Sequence, residues 1–195
     1  MTYNPDIHHR RSIRLRNFDY ALAGAYFVTI CAQGRGCLFG EVVDGVMAAN
    51  DAGRMIESVW SGLPERFSGI ELDAFVIMPN HVHFILFLVG APLVGALYSE
   101  GAVPIVDEQN TRAGTRPAPT TVGDIVGAFK SVTTHEYSIG VTKFGWPQFP
   151  GRLWQRNYFE RIIRNDLELD KLRSYILLNP DRWVEDEENP LISTP

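Results

Sequence analysis

At 195 residues the chain is of a size that one hydrophobic core can serve, and two full domains are not expected. Its 45% hydrophobic, 11% aromatic and 21% charged residues, with two cysteines, exclude a disordered chain and a disulfide-stapled secreted scaffold. The net charge of −5 is uneven: +3 over residues 1–16, −7 over 17–125, +3 over 126–180 and −4 over 181–195.

Two basic segments in an acidic body fit a local nucleic-acid footprint, and equally a solvated surface. No apolar run approaches the roughly 20 residues of a membrane span. The Arg-rich start lacks the apolar stretch of a signal peptide. A cytoplasmic protein with no membrane partner is expected.

In chain order, residues 25–32 (AYFVTICA) are β-branched and aromatic, and residues 37–43 (CLFGEVV) read as their hairpin partner across Gln33-Gly34-Arg35-Gly36. From Asn50 to Phe67, Met55, Ile56, Val59, Trp60 and Leu63 recur at helical spacing behind an Asn50/Asp51 cap. Residues 71–78 and 81–89 are two strands joined at Pro79-Asn80. Residues 90–121 have no periodicity and read as a loop-like insertion. Ile125, Val126, Phe129 and Val132 give a second helix over residues 122–137, followed by a bend over 140–151.

Residues 153–163 are a strand candidate with imperfect alternation. A last helix begins at an Asn165 cap, with Glu168 three residues on, lines Leu169, Leu172 and Ile176 on one face, and stops at Pro180. Helices set between antiparallel strand pairs predict an α+β fold of the split βαβ kind: a central antiparallel sheet with helices mainly on one face. One domain is expected, with a basic arm (1–20), the insertion and an acidic tail (181–195), whose run Glu185 to Glu188 could repel DNA or cover the site and is read first as solvated.

His81 and His83 alternate along a strand, so both imidazoles leave the same face while Val82 points the other way. That is metal-ligand spacing, but alone it reads first as two half-buried, hydrogen-bonded histidines. Tyr175 and Asn179, four apart on the last helix, share one of its faces. Without the histidines they read as a packing residue and a cap before Pro180. Cys31 and Cys37 lack C-x-x-C spacing and read as reduced packing residues rather than a zinc site.

Three ordered blocks carry a family resemblance: 73–83 (DAFVIMPNHVH), 154–165 (WQRNYFERIIRN) and 175–180 (YILLNP). Together with Tyr3-Asn4-Pro5, residues 8–15 (HHRRSIRL) and 25–31 (AYFVTIC), they resemble the REP-associated tyrosine transposases, which are small single-tyrosine HUH transposases of insertion sequences. The resemblance implies a ferredoxin-like HUH fold. It also implies that His81, His83 and Asn179 bind a divalent ion, that Tyr175 is the nucleophile, and that Tyr158, in the most conspicuous block, is a strand residue.

A phenol with a pKa near 10 is a poor nucleophile toward an anionic phosphodiester, a difficulty that a metal ion relieves. Two imidazoles and an amide oxygen suit Mg²⁺ or Mn²⁺. The implied activity is single-stranded DNA nicking and joining beside hairpins (REP-like palindromes) through a 5′-phosphotyrosine, by a monomer or homodimer at the nucleoid. Arg10, Arg11, Arg14 and Arg16 are expected to contact a hairpin, and Lys130, Arg156, Arg161 and Arg164 phosphates near the site. Each is read as readily as a solvated surface charge. Two further readings stay open: a non-catalytic binder of hairpin DNA or RNA on the same fold, and a phosphodiesterase that activates water.

Overall fold

The computed structural model describes residues 23–89 and 120–192. The arginines expected in the arm (Arg10, Arg11, Arg14, Arg16) and most of the expected insertion lie outside these. Four strands, β1 (Gly24–Cys31), β4 (Ile70–Ile77), β5 (His81–Leu88) and β6 (Phe159–Ile163), form a sheet in the order β4-β5-β1-β6. Every neighbouring pair is antiparallel. β5 separates β4 from β1, and α1 (Asp51–Ser61) lies between β1 and β4 in sequence, which is the expected split βαβ. α2 (Leu63–Arg66) extends α1, α3 (Val122–Phe144) precedes β6, and α4 (Asp166–Leu177) follows it. No helix among the described residues is long and apolar enough to cross a membrane.

The unbroken apolar run of β5 is explained by cover on both faces. Val82, Phe84, Leu86 and Leu88 join Tyr26, Val28 and Ile30 of β1 in the larger core, closed by Ile56 and Trp60 of α1 and by Ile125 and Phe129 of α3. Ile85, Ala25 and Phe27 point the other way and meet Leu169, Leu172 and Ile176 of α4. Helices therefore lie mainly on one face, as expected, with α1, α2 and α3 on that side and α4 alone covering the other. Arg173 of α4 is ion-paired to Asp73 of β4 at 2.8 Å, and Arg161 of β6 to Glu168 in the first turn of α4. By side-chain alternation, His81 and His83 must face α4.

Both predicted caps form: Asn50 Oδ1 accepts from Gly53 N and Asn165 Oδ1 from Glu168 N, each at 2.9 Å. The Glu168 carboxylate accepts from the N–H of Arg164 rather than of the cap. The first hairpin differs from expectation. β1 pairs with β5 and β6, whereas β2 (Gly40–Val43) pairs with β3 (Val46–Ala49). The cause is Asp44-Gly45, whose φ values of 49° and 75° make the two-residue turn that matches strand twist.

α3 runs past the predicted end to Phe144 because Gly140 is not a breaker: the Trp146 ring fills the place its side chain would take. Gly145, at φ 69°, ends the helix instead. The strand expected over 153–163 keeps only its second half. Its first half is an irregular wall fixed by Lys130, whose Nζ donates to the carbonyls of Gln155, Arg156 and Asn157 at 2.9, 3.3 and 3.1 Å. Trp154 is core, with its Nε1 donating to Thr133 Oγ1 at 2.8 Å.

Lys130→Met strands three carbonyls and is expected to cost roughly 2 kcal/mol in denaturant unfolding. Burial pushes the Lys130 ammonium down from 10.5 to about 8. Between those values the unfolded chain binds more protons than the folded one, so this lysine makes stability rise with pH across the window. The variant should lose that rise.

Candidate active site

His81, His83, Tyr175 and Asn179 are brought together under α4. His81 and His83 are buried, as is Asn179, whereas Tyr175 is 38% exposed. The Tyr175 hydroxyl lies 3.4 Å from His83 Nε2, and the rings meet edge to face, 5.2 Å between centroids. Phe27 of β1 packs on both rings. Leu178 departs from helical geometry (φ −92°, ψ 2°), but Asn179 returns to it (φ −61°, ψ −41°) and its N–H donates to the Ile176 carbonyl at 3.3 Å, which keeps Asn179 beside Tyr175 one turn on.

Both imidazoles are oriented from behind. His83 Nδ1 is 2.8 Å from Thr29 Oγ1 on the neighbouring strand. His81 Nδ1 is 2.9 Å from Asn80 Oδ1. Asn80 spends its amide donors on two carbonyls, those of Arg35 at 3.1 Å and Glu188 at 2.7 Å, so its oxygen must face His81. His81 then carries its proton on Nδ1 and turns the Nε2 lone pair into the site. Asn80→Ala should remove this orientation and weaken divalent-ion affinity about 10- to 100-fold in calorimetric titration.

The residues after α4 are not a solvated tail. Residues 180–185 form a 3-10 helix with Trp183 buried, and the acidic run folds back on the site. Arg35 donates to the Glu187 carbonyl at 2.9 Å and is ion-paired to Glu188 at 3.0 Å. Gly45 belongs to this contact, because a Cβ there would lie 2.3 Å from Asp181 Oδ1. Asp186 Oδ2 comes to 3.8 Å from His81 Nε2. One ligand atom from each of His81, His83 and Asp186 lies within 4.8 Å of the others.

Burial drives His81 down to about 4, opposed by the Asp186 charge, and drives His83 well below its ordinary value, with His81 adding to the shift. Both are neutral at pH 7, the form in which imidazole ligates a metal. His81 Nε2 and Asn179 Oδ1 are buried without a hydrogen-bond partner among the described residues. Two orphaned lone pairs, a second neutral imidazole and a carboxylate make a donor set that fits a divalent cation. Burial raises the Tyr175 phenol, as does Asp186, while Asn179 and Arg182 pull it down. The resting hydroxyl is protonated at neutral pH.

A pocket of about 560 Å³ opens on Tyr175 and His83. Glu185, Asp186, Glu187 and Glu188 line it, and Arg182 is its one basic residue among those described. Burial carries Cys31, also in its wall, up to about 12, so the thiol is unreactive. Of the residues expected to contact phosphate, Arg156 and Arg164 are exposed, Arg161 is engaged with Glu168, and Lys130 has turned its ammonium inward onto carbonyls. The sequence reading missed Asn80 and Thr29 as orienting groups, and Asp186 and Arg182 in the pocket. Only Asn80 left a trace, as a polar residue in the turn directly before the strand that carries His81 and His83.

The fold defines the class: an antiparallel ferredoxin-like sheet with an H-x-H pair under a tyrosine-bearing helix. No family model matches the chain. It is similar over 88% of its length to a solved REP-associated tyrosine transposase bound to a REP hairpin, covering 74% of that chain at 18% identity and a TM-score of 0.54. A Deinococcus radiodurans protein described as a candidate transposase is a weaker match, 15% identical over 85% of this chain and 96% of that one, with a TM-score of 0.46.

A Haemophilus influenzae protein of uncharacterised function is 35% identical over 188 residues, 95% of this chain and 96% of its own. The chain belongs to one family with that protein, and its fold is that of the REP-associated tyrosine transposases.

Proposed function

We propose that the protein nicks and rejoins single-stranded DNA beside a hairpin, with Tyr175 as nucleophile. The observation that carries this reading is the half-exposed Tyr175 hydroxyl, 3.4 Å from His83 Nε2, opening onto the site pocket. Tyr175 Oη forms the bond to phosphorus, the bond to the 3′-oxygen breaks, and the strand remains attached as a 5′-phosphotyrosine. Because the ester is conserved, a 3′-hydroxyl can reverse the step and join strands without an outside energy source.

His81, His83 and Asn179 would hold a divalent ion, Mg²⁺ or Mn²⁺, with the Asp186 carboxylate beside them. Such an ion neutralises charge on a non-bridging phosphate oxygen. Thr29 and Asn80 hold the imidazoles, Phe27 braces the Tyr175 ring, and Arg182 offers its guanidinium to the incoming phosphate. Hairpin recognition is carried over from the transposase of like fold, which is bound to a REP hairpin. This role sets the protein at the nucleoid.

The test is incubation with end-labelled hairpin DNA bearing single-stranded flanks, with Mn²⁺, followed by a denaturing gel. A covalent adduct with a free 3′-hydroxyl product is expected. Cleavage without an adduct would point to water as nucleophile, and tight binding without cleavage to a non-catalytic hairpin binder.

A further inference from the structure

A second groove, of about 460 Å³, lies between α3 and the wall formed by residues 151–156. Gly127, Ser131 and Thr134 come from the helix, Arg152 and Arg156 from the wall, and Gln155 borders both this groove and the site pocket. The two cavities thus meet at Gln155.

Their charges are opposite. Four acidic residues and one arginine line the site pocket, whereas the described residues lining the groove include no acidic side chain. Arg152 and Arg156 are exposed, and neither forms an ion pair among the described residues. Beneath them, Lys130 holds the carbonyls of 155–157, so Arg156 projects from a fixed wall. Gly127 leaves the helix backbone open, since a Cβ there would meet nothing within 4 Å.

A polyanion reaching an acidic pocket needs a favourable approach, and planar guanidinium groups with small hydroxyl side chains opposite suit phosphate oxygens. We infer that this groove carries the sugar–phosphate backbone of the single strand whose scissile phosphate reaches Tyr175. This rests on the strand-transfer reading above and adds where the flanking strand runs. Arg152 and Arg156 hold the strand without touching the reacting atoms.

The test is fluorescence anisotropy with Tyr175→Phe protein, so that binding is read without cleavage. One hairpin DNA carries a flank too short to leave the site pocket; others carry about ten further nucleotides on the 5′ or the 3′ side. Arg152→Glu with Arg156→Glu should weaken binding of one long-flank substrate at least about tenfold and lower its log–log salt slope by roughly two. The short-flank substrate should change less than about twofold by the same reasoning.

Gly127→Trp, which fills the groove without changing charge, should reproduce the selective loss. Circular dichroism checks that each variant is folded. Unchanged binding of both long substrates, or an equal loss on short and long, would overturn the groove. Failure of the wild-type protein to form an adduct would instead sink the strand-transfer reading, since the groove is read by binding alone.

Discussion

Tyr175→Phe is expected to abolish the covalent adduct, with a loss of at least about 10³-fold in cleavage, while hairpin binding stays within about twofold. The magnitude follows from removing the atom proposed to form the bond to phosphorus. The substitution is otherwise mild. Phe keeps the ring that packs edge to face on Phe27 and His83, and the hydroxyl it deletes makes a long 3.4 Å contact with His83 and a polar contact with Asn179. Stability should therefore change by less than about 0.5 kcal/mol in chemical denaturation, as for a surface substitution. A variant that is folded and binds DNA, yet forms no adduct, separates chemistry from recognition. If cleavage persists in the variant, tyrosine is not the nucleophile.

His83→Gln is expected to have an effect of similar size by a different route. The imidazole lies between Thr29 Oγ1 at 2.8 Å and the Tyr175 hydroxyl, stacked on Phe27. Gln preserves a polar contact to Thr29, so folding should survive with a loss of about 1 to 2 kcal/mol from poorer packing and geometry. It cannot offer the same nitrogen lone pair in the same direction. Divalent-ion binding should fall at least about 100-fold by calorimetric titration, with cleavage falling alongside it. Thermal stabilisation by Mn²⁺, expected of the wild-type protein, should vanish in the variant. Retained stabilisation would show that the ion sits elsewhere.

Much of the fold was legible because short-range rules decided it. Asn50 and Asn165 cap their helices as their side chains dictate, and strand alternation fixed His81 and His83 to one face. The helical spacing of Tyr175 and Asn179 anticipated their shared face. What stayed hidden depends on partners distant in sequence. Nothing local says that β1 pairs with β5 and β6 rather than with its nearest neighbour, though Asp44-Gly45 was a readable turn that the longer Gly-containing linker obscured.

The acidic run 185–188 has the composition of a solvated tail. It is held instead by Arg35 and Asn80, 152 and 108 residues away from the carbonyls they bond. Lys130 looked like a surface cation because its role depends on three carbonyls 25 to 27 residues later in the chain. Pairing at that range leaves no local pattern. For the same reason Thr29, directly opposite His83 on the neighbouring strand, could not be found before the strand pairing was known.

The acidic pocket also bears on chemistry. Asp186 raises the Tyr175 phenol while standing close to His81, so one carboxylate disfavours tyrosinate and strengthens the donor set for a cation. The balance between these effects should set how strongly activity depends on divalent-ion concentration.

The most direct test of the central claim is mass spectrometry of the protein after reaction with single-stranded hairpin DNA and Mn²⁺, followed by nuclease and protease digestion. The account predicts a nucleotide linked through a 5′-phosphate to the peptide carrying Tyr175. A nucleotide on any other residue, or cleaved DNA with no modified peptide, would contradict it.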